Sequence, residues 1–362
     1  MSDDPLILFA GGGTGGHLYP GIAVAQSVRE TLPAARCLFL CTSREIDATI
    51  LRPTGFEFIE QPIVPPIRSI PGLLRFWRRW RETKDLIRRI CRERRPDAVL
   101  GLGGYAAGVA VKEMAARGVP AAILNPDVIP GKANQYLMRH VRAVCCQFEQ
   151  TRDHVDPKRH GMLVITGCPI RRDIVAASDR AAAAARLGLD PNLATLVVTG
   201  ASQGAVTVNE AMLEVLGALK MPGWQILHLA GRDHAPAVSQ AYRSRSVSAR
   251  VIDFTAEMAD VWAVADLAVS RAGASTCAEL TARGVPSVLM PYPFHRDLHQ
   301  RANAKVLADA GAAVLLDDQR DARKNAQQLL PALQPLLVDA TRREAMSAAA
   351  RRLGRPDAAV AV

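Results

Sequence analysis

Long apolar runs are missing from this chain of 362 residues, which has no stretch of the roughly 18 uncharged apolar residues that a membrane-spanning helix needs. Gly/Ser-rich and Pro-rich tracts of linker length are missing as well, which excludes a largely disordered chain. The composition, 49% hydrophobic and 22% charged, is that of a globular protein. The length exceeds one ordinary core and predicts two domains of about 150–200 residues each.

Cysteine pairs with metal-ligand spacing and a signal peptide are also lacking. The seven cysteines form no Cys-x-x-Cys pair and mostly lie within apolar runs, which favours buried free thiols in a reducing compartment. The N-terminus leads from Met1 into an apolar run at 6–10 without the basic and apolar regions of a secretory signal. No acidic triplet stands in a metal-binding context. We therefore expect a cytoplasmic protein without a metal centre.

Positive charge is concentrated in one segment. Between residues 68 and 95 there are eleven lysines and arginines against three acidic residues, and this excess of eight makes up most of the net charge of +10. Apolar and aromatic side chains recur there at helical spacing, which predicts a basic amphipathic helix. Its residues expected at a membrane are Leu73, Arg75, Phe76, Trp77, Arg78, Arg79 and Trp80.

Two interpretations of this segment remain open. The helix lies in a membrane interface, with Trp at headgroup depth and arginines on anionic lipid. Alternatively, it packs its apolar stripe on its own domain and leaves its arginines in water. Nucleic acid is not an expected partner, because no aromatic-basic binding module accompanies the segment.

Short apolar runs alternate with helical stretches along the whole chain, which predicts parallel sheets covered by helices on both faces. We predict an α/β protein with two doubly wound, Rossmann-like domains, whose ligands lie beyond the carboxyl ends of the strands. The first domain is expected at 1–170 and the second at 171–362, with a helical tail from about 320. The predicted strands are 6–10, 37–41, 97–102, 120–124, 143–147, 162–166, 195–199, 225–230, 250–252, 266–270, 286–290 and 313–316.

Glycine-rich turns follow several of these runs. Gly-Gly-Gly-Thr-Gly-Gly-His occupies 11–17, and Gly-Ala-Ser-Gln-Gly-Ala occupies 200–205. Glycines let the backbone approach a ligand and helix-start N–H groups favour an anion, so both turns predict a phosphate-bearing ligand. Gly11, Gly13 and Gly16 also satisfy a dinucleotide pattern, but the second strand run lacks the acidic residue that such a site needs. Neither turn ends in the Gly-Lys-Ser/Thr of a P-loop.

Further glycine turns at 101–105 and 271–276 support a polyphosphate ligand. In the second, helix-start N–H groups and the hydroxyls of Ser275 and Thr276 suit a diphosphate, and Glu279 can accept hydrogen bonds from ribose hydroxyls. The alternative is that Ser275 and Thr276 are ordinary N-caps and Glu279 is a first-turn carboxylate. The stretch alone leaves both open.

Eight segments in one order resemble the MurG family, the peptidoglycan enzymes that transfer N-acetylglucosamine from UDP-N-acetylglucosamine to undecaprenyl-linked muramoyl-pentapeptide, lipid I. The resemblance implies a GT-B fold, with two Rossmann-like domains facing across a cleft, and an inverting hexosyltransferase that needs no metal or other cofactor. The segments are GGTGGH at 12–17, GLGGYAAG at 101–108, PGKAN at 130–134, TGCPIR at 166–171, GASQGA at 200–205, DFTAEM at 253–258, SRAGASTCAEL at 270–280 and HQRANA at 299–304.

The resemblance implies roles for single residues. Thr255 would meet uracil, Glu279 the ribose and Arg171 the diphosphate, where it would offset charge on the departing UDP. His17 is the candidate general base, and the alternative is a structural histidine that holds the glycine turn through a backbone hydrogen bond. The implied donor side comprises Thr14, Gly15, Gly16, Asp127, Arg171, Ser202, Thr255, Ala274, Ser275, Thr276, Glu279, Gln300 and Asn303, and the acceptor side Gly103, Gly104, Tyr105 and Asn134.

The sequence departs from the family pattern at 124–127, where it reads Leu-Asn-Pro-Asp in place of His-Glu-Gln-Asn. Asp127 keeps an oxygen acceptor and is expected to hold a sugar hydroxyl or to join in proton removal, against repulsion from a nearby diphosphate. The resemblance implies formation of lipid II in cell-wall biogenesis, cell shape and division. Its place would be the cytoplasmic face of the inner membrane, on an anionic lipid surface. The alternatives are a related UDP-sugar transferase with another acceptor and a non-catalytic paralogue that binds UDP-sugar.

Overall fold

The computed structural model describes residues 4–65, 69–176, 178–200, 204–295 and 297–362, and its strands form two parallel sheets. The strands of the first sheet are β1 (Leu6–Gly11), β2 (Arg36–Thr42), β3 (Glu57–Gln61), β4 (Ala98–Gly103), β5 (Ala121–Asn125), β6 (Ala143–Cys146) and β7 (Leu163–Ile165). Those of the second are β8 (Ala194–Thr199), β9 (Trp224–Leu229), β10 (Ala249–Ile252), β11 (Leu267–Ser270), β12 (Ser287–Leu289) and β13 (Ala313–Leu315). Their orders are β3-β2-β1-β4-β5-β6-β7 and β10-β9-β8-β11-β12-β13.

Helices connect the strands in both sheets. Those of the first half are α1 (Gly15–Thr31), α2 (Glu45–Leu51), α3 (Ile70–Arg94), α4 (Gly104–Ala115) and α5 (Lys132–Leu137). The others are α6 (Arg172–Val175), α7 (Arg180–Leu187), α8 (Val206–Val215), α9 (Ala235–Ser244), α10 (Met258–Val264), α11 (Ala274–Arg283), α12 (His299–Asp309), α13 (Ala322–Val338), α14 (Ala340–Leu353) and α15 (Ala358–Ala361). Short 3₁₀ segments lie at Arg52–Thr54, Glu149–His154 and Pro157–Met162.

The predicted fold class, two Rossmann-like doubly wound parallel sheets, is confirmed. A strand forms at each of the predicted runs, and one further strand, β3, was not predicted. Its sequence, Glu57-Phe58-Ile59-Glu60-Gln61, has only two apolar residues because β3 is an edge strand that pairs with β2 alone. An edge strand needs less apolar surface than the central strands, so its sequence signal is weak.

The chain divides into two compact units, and the division departs from the expected one at the C-terminus. The first unit ends at Arg171 and also includes Pro356–Val362, while the second is Arg172–Arg355. The end of the chain was expected in the second domain. It returns to the first because Ala358 is buried there and Val362 packs on the cluster that contains Phe9 and Phe39.

Both faces of the first sheet are buried, which explains the continuous apolar runs of its strands. Along β1, Leu8 and Ala10 belong to one core cluster and Phe9 to the other, because successive side chains point to opposite faces. Phe9 stacks on Phe39 of β2 with ring centroids 4.9 Å apart. The central strands therefore have little freedom to shift register.

All seven cysteines lie in the described part of the chain, and none of them forms a disulfide. Five are buried, whereas Cys37 and Cys91 are half-buried. Burial raises the pKa of the Cys41 and Cys146 thiols to about 12, so both stay protonated and unreactive at neutral pH. The expectation of free thiols is confirmed, and the compartment stays a prediction.

A histidine lies in the core of the second unit. His228 on β9 is fully buried, and its two ring nitrogens are 2.9 Å from the Tyr242 hydroxyl and 3.0 Å from Asn209 Oδ1. Burial lowers the pKa of His228 to about 3. The imidazole is therefore neutral in the folded protein, whereas in the unfolded chain it takes up a proton below its ordinary pKa of about 6.5.

We predict that His228 makes folding stability depend on mildly acidic pH. As pH falls from 7 to 5 the unfolded chain gains a proton that the folded protein does not accept, so His228 removes about 2 kcal/mol of stability. Urea unfolding at pH 7 and pH 5 measures this, with His228→Gln as the comparison. The variant is expected to lose about 2 kcal/mol less than the wild type over this range. Equal losses in both proteins would contradict the assignment.

Candidate functional site

A buried carboxylate organises the glycine turn that follows β1. Asp47 on α2 is fully buried, and both of its carboxylate oxygens lie 2.8 Å from the Gly13 amide nitrogen, which donates to them. Its Oδ2 also accepts hydrogen bonds from the Thr42 amide (2.8 Å) and the Thr42 hydroxyl (2.7 Å). Gly12 has a φ of +153°, and a Cβ there would meet Asp47 Oδ2 at 2.2 Å. The turn therefore needs both the glycine and the acid.

Because of the Asp47 carboxylate, the charge at this turn differs from the one expected from the sequence. The first glycine turn was expected to hold a phosphate on its N–H groups. The Gly13 N–H is not available for such a contact, because the Asp47 carboxylate already accepts its hydrogen, and for the rest of the turn the expectation stays a prediction. A negative charge fixed at this point opposes a second anion at the same amide. Arg44, whose Nη1 donates to the Gly13 carbonyl at 2.8 Å, holds the other side of the peptide.

His17 lies in the first turn of α1 and is oriented by backbone on two sides. Its Nδ1 is 3.1 Å from the Gly12 carbonyl and 3.2 Å from the Thr14 hydroxyl. A Cβ on Gly103 or Gly104 would come within 3.2 or 3.0 Å of the imidazole ring, so the two glycines let the ring approach β4. A carbonyl only accepts, so Nδ1 carries the proton in the Gly12 bond and Nε2 keeps its lone pair. The hydrogen bond from Nδ1 to the Gly12 carbonyl is therefore compatible with Nε2 acting as a general base.

We predict that Asp47→Ala destabilises the protein by about 3 kcal/mol, because buried donors on Gly13 and Thr42 lose their acceptor. Urea unfolding measures this cost. Hydrogen exchange of the peptide over 11–18 is expected to speed up in the same variant, since the Gly13 amide loses its partner. Asp153→Ala, which changes an exposed acid of the same unit, is the matched control. Unchanged exchange at 11–18 in Asp47→Ala would refute the organising role.

The segment that departs from the family pattern is held from inside the protein. Leu124 and Asn125 are buried at the end of β5, and the Asn125 amide donates to the Asp127 carbonyl at 2.8 Å. Asn134, expected on the acceptor side, is also buried, and its amide donates to the Leu124 carbonyl (2.9 Å) and to Asn125 Oδ1 (3.0 Å). Asn134 therefore supports the loop instead of facing a ligand. The half-buried Asp127 stands at its tip.

Four candidate segments of the first unit, 12–17, 101–108, 124–127 and 166–171, line one recess. The Arg171 guanidinium lies 5.2 Å from the centre of the Tyr19 ring, which is close to the start of α1. Tyr105 is half-buried, and burial raises the pKa of its phenol, so it stays neutral at physiological pH. The recess is lined by Gly16, Pro20, Leu102, Leu124, Pro126, Cys145, Gly167, Cys168 and Pro169.

In the second unit, α11 begins at a glycine. Gly273 is its N-cap, and among the described residues no side chain caps this helix. Ser275 and Thr276 are the second and third helical residues, so they are not the N-caps that one interpretation of the sequence proposed. A helix start capped by a glycine presents its first N–H groups together with these hydroxyls, which suits an anion.

Glu279, one turn further along α11, contacts a tryptophan from the neighbouring helix. Trp262 on α10 donates its indole N–H to Glu279 Oε2 at 2.7 Å, and Trp262 itself is 2% exposed. The loop before α10 carries Thr255, whose hydroxyl accepts the Glu257 amide at 3.0 Å. The candidate uracil and ribose contacts are thus linked through α10.

The remaining donor-side candidates differ in exposure. Gln300 is half-buried, and its Oε1 accepts the Tyr292 amide at 3.0 Å. Asn303 is fully buried and donates to the Ala272 carbonyl at 3.2 Å, so it supports the turn before α11 instead of presenting its amide to a sugar. Ser202 lies outside the described residues.

Arg271 links the segments that follow β11 and β12 in the second sheet. It is buried, and its Nη1 donates to the carbonyls of Met290 and Pro291 and to Asp318 Oδ2 at 2.8, 3.1 and 2.7 Å. Its Nη2 donates to the Thr207 hydroxyl at 2.7 Å. Burial raises the pKa of Asp318, but hydrogen bonds from Thr207, Asn325, Arg320 and Arg271 outweigh burial and lower it overall.

The basic helix α3 divides its apolar side chains between its own unit and solvent. Phe76 and Trp80 are half-buried and pack against a buried cluster that includes Ile63 and Val109, and their contact with a membrane stays a prediction. Ser69 caps the helix through its hydroxyl, which accepts the Gly72 amide. An apolar patch remains exposed on its first half, called here the α3 patch: Ile70 (78% exposed), Leu73 (44%), Leu74 (67%) and Trp77 (58%).

Ion pairs fix the second half of α3 on its own unit. Burial raises the pKa of Glu113 on α4, but Lys84 (3.0 Å) and Arg117 (2.8 Å) outweigh burial and lower it overall. Among the described residues, no helix is long and apolar enough to cross a membrane. The α3 patch is therefore a surface feature of a firmly held helix.

Within the described ranges, one group of side chains has the spacing to hold a metal ion: His295, Asp297 and His299. His299 Nδ1 is 2.7 Å from Asp297 Oδ1. Burial raises the pKa of Asp297, but the hydrogen bond and the charge of His299 outweigh burial and lower it overall. His295 and Asp297 are exposed. Exposed acidic groups are common on protein surfaces without a metal ion, so we assign no metal site to these three residues.

Sequence reasoning missed three residues that organise the site. Asp47 stands five residues beyond the last residue of β2, where an acid was sought at the strand end and judged absent. Trp262 is one of four tryptophans and had no motif of its own. Arg271 directly follows the buried β11, and a charge in that position was a usable signal for a buried network.

Comparisons with known proteins agree over the whole chain. The Glycosyltransferase family 28 N-terminal domain matches residues 7–146 and the Glycosyltransferase family 28 C-terminal domain matches residues 195–362. The UDP-N-acetylglucosamine–N-acetylmuramyl-(pentapeptide) pyrophosphoryl-undecaprenol N-acetylglucosamine transferase of Moorella thermoacetica is 35% identical, over 98% of this chain and 96% of that protein. The transferase of the same name from Desulforudis audaxviator is 34% identical, over 97% of this chain and 95% of its own.

A solved structure shares the fold. The crystal structure of Acinetobacter baumannii MurG has a TM-score of 0.76, 24% identity and coverage of 98% of this chain and 97% of that one. The two matched family models, together with two parallel-sheet units, show a glycosyltransferase of the hexosyl-transferring class. Within that class, the chain belongs to the MurG family of UDP-N-acetylglucosamine–N-acetylmuramyl-(pentapeptide) pyrophosphoryl-undecaprenol N-acetylglucosamine transferases.

Proposed function

We propose that this protein transfers N-acetylglucosamine from UDP-N-acetylglucosamine to undecaprenyl-diphospho-muramoylpentapeptide, lipid I, and so forms lipid II. The observation that carries the proposal is similarity over nearly the full length to enzymes named for this reaction. The glycine-capped start of α11 and the carboxylate of Glu279 support a nucleoside-diphosphate donor.

The second unit binds the donor in this proposal. Thr255 meets the uracil, Glu279 accepts hydrogen bonds from the ribose hydroxyls, and the first turn of α11 with Ser275 and Thr276 receives the diphosphate. Gln300 contacts the sugar, and Ser202 offsets the charge that grows on the departing UDP. Asn303 and Arg271 act behind this surface, since both are buried and bonded to the turns that carry the contacts.

The first unit binds the acceptor and removes its proton. The C4 hydroxyl oxygen of the muramoyl sugar attacks the anomeric carbon with inversion, the bond from that carbon to the UDP oxygen breaks, and His17 Nε2 takes the hydroxyl proton. The Gly12 carbonyl supports this role, because it holds the proton on Nδ1 and leaves Nε2 as the acceptor. Asp127 at the tip of the 124–127 loop holds a hydroxyl of the sugar.

Transfer of radiolabel from UDP-N-acetylglucosamine to lipid I in detergent tests the proposed reaction. Label is expected in the lipid fraction, and His17→Gln is expected to lower kcat by about 10²–10⁴-fold, the usual contribution of a general base. His154→Gln, an exposed histidine of the same unit, is the matched control and should keep wild-type activity. UDP binding without transfer to lipid I would refute the acceptor assignment. Transfer with full activity in His17→Gln would refute the base assignment alone.

We also propose that the protein docks on the cytoplasmic face of the inner membrane through the α3 patch. The patch places four apolar side chains in solvent next to exposed arginines at 75 and 78, which is the arrangement of an interfacial helix. The proposed acceptor is itself a lipid, so docking there would bring the first unit to its substrate. The other half of α3 is anchored on Glu113 of α4 through Lys84 and Arg88, so the helix would dock without leaving its domain.

Cosedimentation with vesicles of phosphatidylglycerol and phosphatidylcholine tests this docking. The double variant Leu74→Ser with Trp77→Ser is expected to bind at least about tenfold more weakly, because it removes two apolar side chains from the interface. High salt should weaken the wild type as well, since it screens the arginines. Leu32→Ser with Val164→Ser, which alters two other exposed apolar residues of the unit (53% and 47% exposed), is the matched control. Equal binding by both double variants would exclude the α3 patch.

A further inference from the structure

We propose that Trp262 is a positioning residue that sets the ribose selectivity of the donor site by orienting Glu279. The inference rests on the proposed function, because it takes Glu279 as the group that meets the ribose. Trp262 has no part in the sequence motifs of the site, and the structure brings it to Glu279 from a different helix. The ligand that the donor site would select is a uridine diphosphate that carries both ribose hydroxyls.

The geometry of the contact supports orientation and not general packing alone. The indole Nε1 of Trp262 lies 2.7 Å from Glu279 Oε2, a length typical of a hydrogen bond to an ionised carboxylate. An indole N–H only donates, so it cannot take over the acceptor role toward ribose hydroxyls. A carboxylate accepts up to about four hydrogen bonds, so the indole bond and two bonds from vicinal hydroxyls are compatible.

The two partners differ in burial, which indicates which of them orients the other. Trp262 is 2% exposed, whereas Glu279 is half-buried and has a long side chain with several rotatable bonds. A glutamate in water samples several rotamers, and holding it in one of them lowers the entropy lost when ligand binds. The buried indole therefore selects the rotamer of the carboxylate, and not the reverse.

The helix that carries Trp262 is itself anchored. Arg186 on α7 forms a two-bond pair with Asp260 on α10, at 2.7 and 2.6 Å. This hydrogen-bonded pairing lowers the pKa of Asp260, so the ion pair persists at neutral pH. The loop with Thr255 leads into the same helix. The anchored helix α10 thus carries the donor that orients the ribose carboxylate, and it directly follows the loop with the candidate uracil contact.

Trp224 offers a matched control within the same unit. It is also buried (8% exposed) and also donates one indole hydrogen bond, to the Leu337 carbonyl at 3.0 Å. Replacing either tryptophan by phenylalanine removes the same N–H and the same ring volume. Only one of the two changes removes a partner from Glu279.

The experiment is calorimetric titration of the full chain with UDP and with 2′-deoxy-UDP. The wild type is expected to prefer UDP about tenfold or more, since a hydrogen bond to a charged group contributes a factor of that order. Trp262→Phe should reduce the preference to about threefold or less, by weakening UDP more than 2′-deoxy-UDP. Trp224→Phe should keep the wild-type ratio even if it lowers overall stability. A merely structural role of Trp262 would weaken both ligands equally and would leave the ratio unchanged.

Glu279→Gln separates failure of this inference from failure of the proposed site. If Glu279→Gln lowers the ratio and Trp262→Phe does not, the ribose contact stands and the positioning role is refuted. If Glu279→Gln leaves the ratio unchanged, the ribose assignment itself fails and the positioning role falls with it. Should Trp262→Phe not fold, replacement of Trp262 by 3-benzothienylalanine removes the N–H at nearly constant shape. A wild-type ratio in that protein would overturn the proposal.

Discussion

In a parallel sheet with helical crossovers, all strands run the same way, so their carboxyl ends share one edge and the following turns meet there. Both units of this protein depend on that constraint. In the first, the turns after β1, β4 and β5 bring together His17, the Gly103–Gly104 pair and the 124–127 loop. In the second, the turns after β11 and β12 meet at Arg271, which bonds to Met290 and Pro291. The candidate residues are far apart in sequence and meet because the strands are parallel.

The glycine turns after β1 and before α11 both precede a helix but differ in their electrostatics. After β1, the carboxylate of Asp47 accepts the Gly13 hydrogen, so the protein supplies the anion itself. At the start of α11, among the described residues, no side chain caps the helix, and two hydroxyl residues stand in its first turn. The first arrangement orders the turn whose Gly12 carbonyl contacts His17, and the second suits a phosphate from outside. This asymmetry fits an enzyme whose donor and acceptor are bound by different units.

Much of the fold was predictable because its signal is local. Each central strand is an apolar run, since both of its faces are buried, and each run is followed by turn residues. The edge strand β3 was not predicted because only Phe58 and Ile59 are apolar. The return of the chain end to the first unit was not predicted either, because the sequence around Ala358 and Val362 does not indicate which surface buries these residues.

The sequence by itself determined the fold class, the family and the identity of the residues in its motifs, because periodicity, glycine turns and motif order are properties of neighbouring residues. Only the tertiary structure decided what those residues do to one another. It paired Asp47 with Gly13, Trp262 with Glu279 and Arg271 with Asp318, across separations of 34, 17 and 47 residues. It also turned Asn134 and Asn303 inward and left Trp77 in solvent. Hydrogen bonds and burial depend on distance in space, which strand order and helix packing set and which no local pattern records.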